Sequence, residues 1–313
     1  MTNQIDHIPL RKLSLKSRIY HQRYLLFMAL PAVIWMIVFN YIPMYGIIIA
    51  FKRYRIIKSI ADAPWVGLDH FRELFTEGDF VMVIKNTLGI GFMRLFIGFP
   101  LPIIFALFLN EIKHAGFKRT IQTISYLPHF ISWVVLGGIM MNWLSDAGLF
   151  NEILMKMGVI DEPRFFLAEP ESFWNIAVFS DIWKELGWGA IIYLAAISGI
   201  SPTLYEAATV DGANRWHKMM HITLPSIMPT VSIMLILAIS GILTTNFDQI
   251  LVLRNAVNQS ASDVIDIFVY RVGFKMNRFS YAQAISLFKS VVALILLLGA
   301  NQISRKTQGH SLF

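Results

Sequence analysis

The chain has 313 residues, of which 56% are hydrophobic, 13% aromatic and only 15% charged. Soluble domains carry about 25% charged residues, so most of this chain must face lipid or other apolar helices. It has no cysteine, which excludes disulfides and thiolate metal sites. Its net charge of +7, on a chain this apolar, points to anionic lipid head groups and not to nucleic acid.

Residues 1–24 are polar and carry Arg11, Lys12, Lys16, Arg18 and Arg23. The apolar run behind them is too long for a signal-peptide core, and no small-residue cleavage site ends it, so an uncleaved first transmembrane helix is expected. A span needs about 20 apolar residues to cross about 30 Å of hydrocarbon. Six runs qualify: 25–50, 86–110, 120–143, 173–198, 225–248 and 280–303. Lipid leaves no backbone group a partner outside the chain, so the runs should be helical. Short alternating strands are absent, which argues against a barrel. The expected fold is therefore an all-α polytopic membrane protein with six transmembrane helices. Pro31, Pro43, Pro100, Pro102, Pro128 and Pro229 should kink them.

An even number of spans puts both termini on one side. Lys and Arg divide evenly, with twelve in the connectors and tails of each side. The segments on the side of the termini are shorter and so denser in charge, which makes that side the cytoplasm. The organisation is then a cytoplasmic tail at 1–24, a six-helix transmembrane domain at 25–303 and a cytoplasmic tail at 304–313. Connectors 51–85, 144–172 and 249–279 lie outside. Within them, Gly148–Gly158 places Leu149, Ile153, Leu154 and Met157 at helical spacing and reads as a short amphipathic helix on the outer surface.

A charge near mid-bilayer is costly and marks a candidate functional residue. Arg94, Lys184 and Lys289 lie 8–11 residues from the outer ends of their spans, roughly 12–16 Å deep at 1.5 Å per residue. On the fourth span Trp174, Asp181, Lys184, Glu185 and Trp188 recur at steps of seven, three or four and share a face. Aromatic walls beside donors and acceptors suit a sugar, although Asp181 and Lys184 could simply pair with each other. Asn142, Asn246 and Asp248, near outer span ends, are further pathway candidates. Three cations against two carboxylates leave a slight positive excess, which favours acidic oligosaccharides. His217 and His221 stand four apart, but without a third ligand they read as surface packing.

The segment 199–224 is a polar, helix-prone insert between two apolar runs. Ser201 and Pro202 suit a helix start, Gly212 permits a sharp turn, and a second short helix can run from Ala213 to Thr223 before Pro225 opens the next span. Glu206-Ala207-Ala208, then Asp211-Gly212, then Ile222-Thr223-Leu224-Pro225 resembles the EAA motif of ABC importer permeases that work with a substrate-binding protein. Tyr205-Glu206-Ala207-Ala208 with Asp211-Gly212-Ala213 resembles the carbohydrate branch. Asn40-Tyr41-Ile42-Pro43-Met44-Tyr45-Gly46, followed by Ala50-Phe51-Lys52, resembles the LplB-like subgroup, which imports complex oligosaccharides.

The resemblance implies a type I importer permease fold in the bacterial cytoplasmic membrane, with the EAA loop cytoplasmic. It implies ATPase coupling through Glu206, Ala207, Ala208, Asp211, Gly212, Leu224 and Pro225. The partners implied are a second, homologous permease, two cytoplasmic ATPase subunits that hold ATP and Mg, and an extracytoplasmic binding protein that delivers the oligosaccharide. A different class, an ion-coupled secondary transporter relaying through Asp181, Lys184 and Glu185, would leave the EAA segment unexplained. A membrane enzyme lacks any recognisable catalytic constellation.

The chain has no G-x-x-x-x-G-K-[ST] phosphate loop. The isolated polypeptide should therefore bind no ATP in equilibrium dialysis; one bound nucleotide per chain would refute this.

Overall fold

The computed structural model describes residue 20, residues 22–57 and residues 59–308. Most of the expected N-terminal tail and residues 309–313 of the C-terminal tail lie outside these. By contacts the chain divides into two units, 1–49 and 50–313. Helix α1 (Arg23–Phe51) supplies the described part of the first unit. Every described residue of that unit from Gln22 to Tyr45 is exposed. Such a helix, apolar on all sides, has lipid or another protein as its only compatible surroundings.

In the second unit the elements are, in order, α2 (Asp69–Thr76), α3 (Gly78–Glu111), α4 (Ala115–Phe130), α5 (Trp133–Trp143), α6 (Leu149–Lys156), α7 (Pro170–Ser198), α8 (Pro202–Val210), α9 (Arg215–Ser240), α10 (Phe247–Leu253), α11 (Gln259–Ser262), α12 (Ile265–Tyr270) and α13 (Phe279–Gln308). Among the described residues, four helices are long and apolar enough to cross a membrane alone: α1, α3, α9 and α13. The bent pairs α4–α5 and α7–α8 pass the same test together.

Two of the expected spans are redrawn. The run 120–143 is not one helix, because α4 and α5 meet at 100°. Pro128 opens a 3-10 turn at Leu127–Phe130, and Ser132 caps α5 by accepting the Val135 N–H at 3.4 Å. The run 225–248 begins earlier and ends sooner, since α9 starts at Arg215 and stops at Ser240. Residues 241–246 form a turn, and Asn246 then caps α10 by accepting the Gln249 N–H.

Three of the prolines are absorbed by one recurring device. π-helical segments at Ile37–Tyr41, Arg94–Gly98 and Met219–Thr223 stop two residues before Pro43, Pro100 and Pro225. A proline lacks the N–H and collides with the carbonyl four residues back. The wider turn moves that carbonyl aside, so the helix continues without a break. Pro225 thus lies inside α9 and does not open it.

The core runs along the helices in three clusters. One joins Phe80 and Val83 of α3 to Phe268, Tyr281 and Ile285. The second joins Ile90 to Phe173, Val178, Ile250 and Ile267. The third joins Ile103 and Leu107 to Tyr193, Ile197, Ile227 and Val231. Helix α7 is central and packs on α3, α4 and α9. Its closest approach is at Gly187, where an added Cβ would sit 2.2 Å from the Ser125 carbonyl oxygen.

The connector 254–271 is pinned to the ends of the long helices. Asn86 Nδ2 donates to the carbonyls of Ser260 and Asp263 at 2.8 and 3.1 Å, Thr87 Oγ1 accepts the Ile265 N–H, and Trp174 Nε1 donates to Ala261. Asp263 is fully buried and paired with Arg271 at 2.5 Å. Burial pushes its carboxyl above the ordinary range, and the nearby guanidinium opposes the shift.

Helix α6 forms where an amphipathic helix is expected, but its one buried residue is the polar Asn151, which bonds Ser145 and Arg164. Leu149, Ile153 and Met157 stay exposed, as suits a helix whose apolar side meets a bilayer surface.

Gly187→Val should overpack the α4–α7 contact at a cost of about 1–3 kcal/mol and lower the melting temperature in detergent. Gly138→Ala, with no atom within 4 Å of its added Cβ, is the matched control and should not lower it.

Candidate coupling and translocation sites

Helix α8 follows α7 through a 72° bend and carries the Glu206-Ala207-Ala208 sequence. Its end is a Schellman turn. Gly212 has φ +77°, its N–H donates to Thr209, and the Ala213 N–H reaches back to Ala208 at 2.8 Å. Asn214 then caps α9 by accepting the His217 N–H at 2.9 Å. The spacing of the motif thus has a physical cause: Ala208 supplies the carbonyl that closes the turn, and Gly212 supplies the left-handed backbone. Expected second-helix residues 215–223 are instead the first turns of α9.

Side chains lock α8 to the base of α9. Tyr205 Oη meets Thr223 Oγ1 at 2.9 Å, and Lys218 Nζ donates to Thr209 Oγ1 at 2.6 Å. The outward side is left bare. Glu206, Ala207, Asp211 and Gly212 are exposed, and Val210 is 89% exposed at the tip. Pro225 is exposed too, while Ala208 and Leu224 are half-buried.

A second site lies among α3, α7 and the end of α9. It is a cavity of about 490 Å³ lined by Arg94, Asp181, Glu185 and Asn246 together with Phe99, Pro102, Thr244 and Thr245. Gly91, Gly98, Gly189 and Gly241 complete much of its wall. On α3 the lining residues 91, 94, 95, 98, 99 and 102 form one helical stripe, and on α7 so do 181, 182, 185, 186 and 189. The turn at 241–246 closes one end. Gly91 lets α3 approach it, since a Cβ there would stand 2.2 Å from the Ile242 carbonyl oxygen.

The charges are paired differently from the sequence-based expectation. Asp181 does not pair with Lys184 but accepts from Arg94 Nε at 3.0 Å. Arg94 Nη1 also donates to the Thr244 carbonyl at 3.2 Å. Lys184 is turned toward the α4–α5 break, where Nζ donates to the His129 carbonyl at 2.5 Å, lies 3.4 Å from Glu185 and sits over the Trp133 ring. Glu185 also meets His129 Nδ1 at 2.7 Å, and the His129 ring stacks on Trp188 at 4.3 Å. Lys289 is paired with Asp266, whose other oxygen accepts from Thr245.

Four of the proposed pathway residues therefore meet at the cavity: Arg94, Asp181, Glu185 and Asn246. Lys184 and Trp188 flank it on another side of α7, and Trp174 is packed against Gly89. Asn142, Asp248 and Lys289 are not in its lining. The mid-membrane positive excess also disappears as an argument about substrate, because Lys289 is neutralised by Asp266 and Lys184 is spent on Glu185. His129 escaped the sequence reading, although an ionisable residue in an apolar run is itself the signal. Asp266 lies in a polar connector and gives none.

Residues 98–308 match the family described as binding-protein-dependent transport system inner membrane component. The polygalacturonan/rhamnogalacturonan transport system permease protein YteP of Bacillus subtilis is 43% identical over 92% of this chain and 90% of that protein. Protein LplB of the same organism is 38% identical over 96% of this chain and 94% of its own length. A chain of the bacterial alginate ABC transporter, solved with an alginate pentasaccharide-bound periplasmic protein, superposes with a TM-score of 0.87 at 40% identity, covering 95% of this chain and 99% of that one. Sequence, fold and the bare, glycine-capped α8 agree, and the chain belongs to the binding-protein-dependent transport system inner membrane components.

Proposed function

We propose that the chain is one of two non-identical permease subunits of an ATP-driven importer of oligosaccharides, with uronate-containing ones as the substrate class. Helix α8 is the coupling element. The observation that carries the reading is that Glu206 and Ala207 are left exposed on a capped helix that is clamped to α9 and continuous through one bend with α7. A push on α8 is thereby delivered to two long helices that border the cavity.

In this reading two cytoplasmic ATPase subunits hold ATP and Mg and grip α8, and their closure switches the permease pair between inward-facing and outward-facing states. A substrate-binding protein delivers the oligosaccharide from outside. The chain crosses a bacterial cytoplasmic membrane six times, counting each bent pair as one span, with both termini and 199–224 in the cytoplasm. The uronate class is supported by the relatives' names: polygalacturonan and rhamnogalacturonan for YteP, and alginate, described as an acidic polysaccharide, for the structural neighbours. The ion-coupled alternative loses its motivation, since Asp181 is paired with Arg94.

Reconstituted with its partners, the complex should show ATPase activity stimulated by a binding protein loaded with uronate oligosaccharides. Stimulation by neutral oligosaccharides alone would refute the substrate class.

Glu206→Lys puts a positive charge on the face offered to the ATPase. Loss of a paired interfacial charge costs 2 kcal/mol or more, so coupled ATPase activity should fall about thirty-fold or more. Wild-type activity would remove α8 as the coupling element.

The cysteine-free background allows a topology test. Asn258 is fully buried, so single cysteines belong at Lys156 and Val257, which are exposed. Both should react with an impermeant thiol reagent in intact cells. Labelling only after lysis would invert the orientation.

A further inference from the structure

We propose that Arg94 is the group in the cavity that recognises the substrate's carboxylate, and that Asp181 is its resident counter-ion, which a passing uronate displaces. The proposal rests on the importer reading above and adds to it the residue that selects for charge.

Three observations converge. First, Arg94 is the one basic residue among the described residues that line the cavity. Lys184, with 6% of its side chain exposed, is committed to His129 and Glu185, and Lys289 to Asp266. Glu185, the other lining carboxylate, is itself engaged by Lys184 and His129. Second, Arg94 is only partly satisfied. Asp181 takes Nε and the Thr244 carbonyl takes Nη1, while among the described residues no hydrogen bond engages Nη2. A guanidinium offers five N–H donors in a planar fork suited to a carboxylate, and this one still has donors to give. Third, the two partners differ in access. The Arg94 side chain is 37% exposed and that of Asp181 is 9% exposed, so an incoming anion meets the guanidinium and not the aspartate.

The pair also meets a requirement peculiar to transport. An unpaired guanidinium in a low-dielectric site is costly, so the resting cavity needs a built-in anion. A substrate site on a transport path must also bind weakly enough to release. An internal carboxylate that competes for the same cation does both: it keeps Arg94 charged and positioned, and it re-forms the pair as the substrate leaves. No covalent or proton-transfer step is involved.

The test uses the complete complex in proteoliposomes, with its binding protein and a labelled uronate oligosaccharide. Three forms are compared: wild type, Arg94→Gln, and Arg94→Gln with Asp181→Asn. The single variant strands Asp181 without a partner and could fail to assemble. The double variant removes both charges and should assemble. The expected result is that the double variant assembles with its partners as the wild type does but takes up the uronate oligosaccharide about ten-fold more slowly, the effect of one lost charge-assisted contact. Wild-type uptake by the double variant would reduce Arg94 to a structural partner of Asp181 and overturn the proposal, while leaving the importer reading intact. Failure of the wild-type complex to take up any uronate oligosaccharide would refute the substrate class, and the proposal with it.

Discussion

Hydrocarbon offers no hydrogen bonds, so every interruption of a helix in the membrane must be settled inside the protein. The architecture follows from how this chain meets that demand. Before three prolines the helix widens to a π turn and carries on. At Pro128 it breaks, and Ser132 starts a new helix with its own hydroxyl as cap. After Ser240 it stops, and Asn246 caps the next one. Candidate functional groups collect at these two breaks: the first holds His129 against Glu185, and the second forms an end of the cavity.

The buried charges obey the same demand. Arg94 with Asp181, Lys184 with Glu185 and the His129 carbonyl, and Lys289 with Asp266 each join two different elements. Losing one partner of such a pair costs far more than the pair contributes net. They are therefore better understood as fixing which helix faces which than as sources of stability. The α7 stripe shows this well, because Asp181 is held by Arg94 of α3 while Lys184 and Glu185 are held by His129 at the α4–α5 break.

Much of this was legible in the residues. Apolar run length located most of the helices, since nothing but a helix satisfies 20 apolar residues in lipid. In the EAA segment the turn at Gly212 was legible, because it acts locally through backbone conformation, whereas the second helix was not: Asn214 caps a helix that runs on through Pro225. Pairing was not legible. Asp181 and Lys184 lie three apart on one helix, the spacing at which partners usually meet, yet tertiary neighbours on α3 and at the α4–α5 break claimed each separately. Helix ends were misjudged where a side chain or a turn, and not hydrophobicity, decides the boundary, as at Ser132 and Ser240.

Four residues around the cavity, Gly91, Gly98, Gly189 and Gly241, have no side chain. A wall of this kind presents main-chain groups and has no rotamers to freeze when something passes. Nor is such a wall easily retuned. An added Cβ at Gly91, Gly98 or Gly189 would meet the Ile242 carbonyl, the Ile182 side chain or Pro102 at 2.2, 3.4 or 3.3 Å, so substitution there strains the packing of the wall before it alters its chemistry. Diversification of what such a cavity admits is thereby pushed onto the few positions that already carry a functional group.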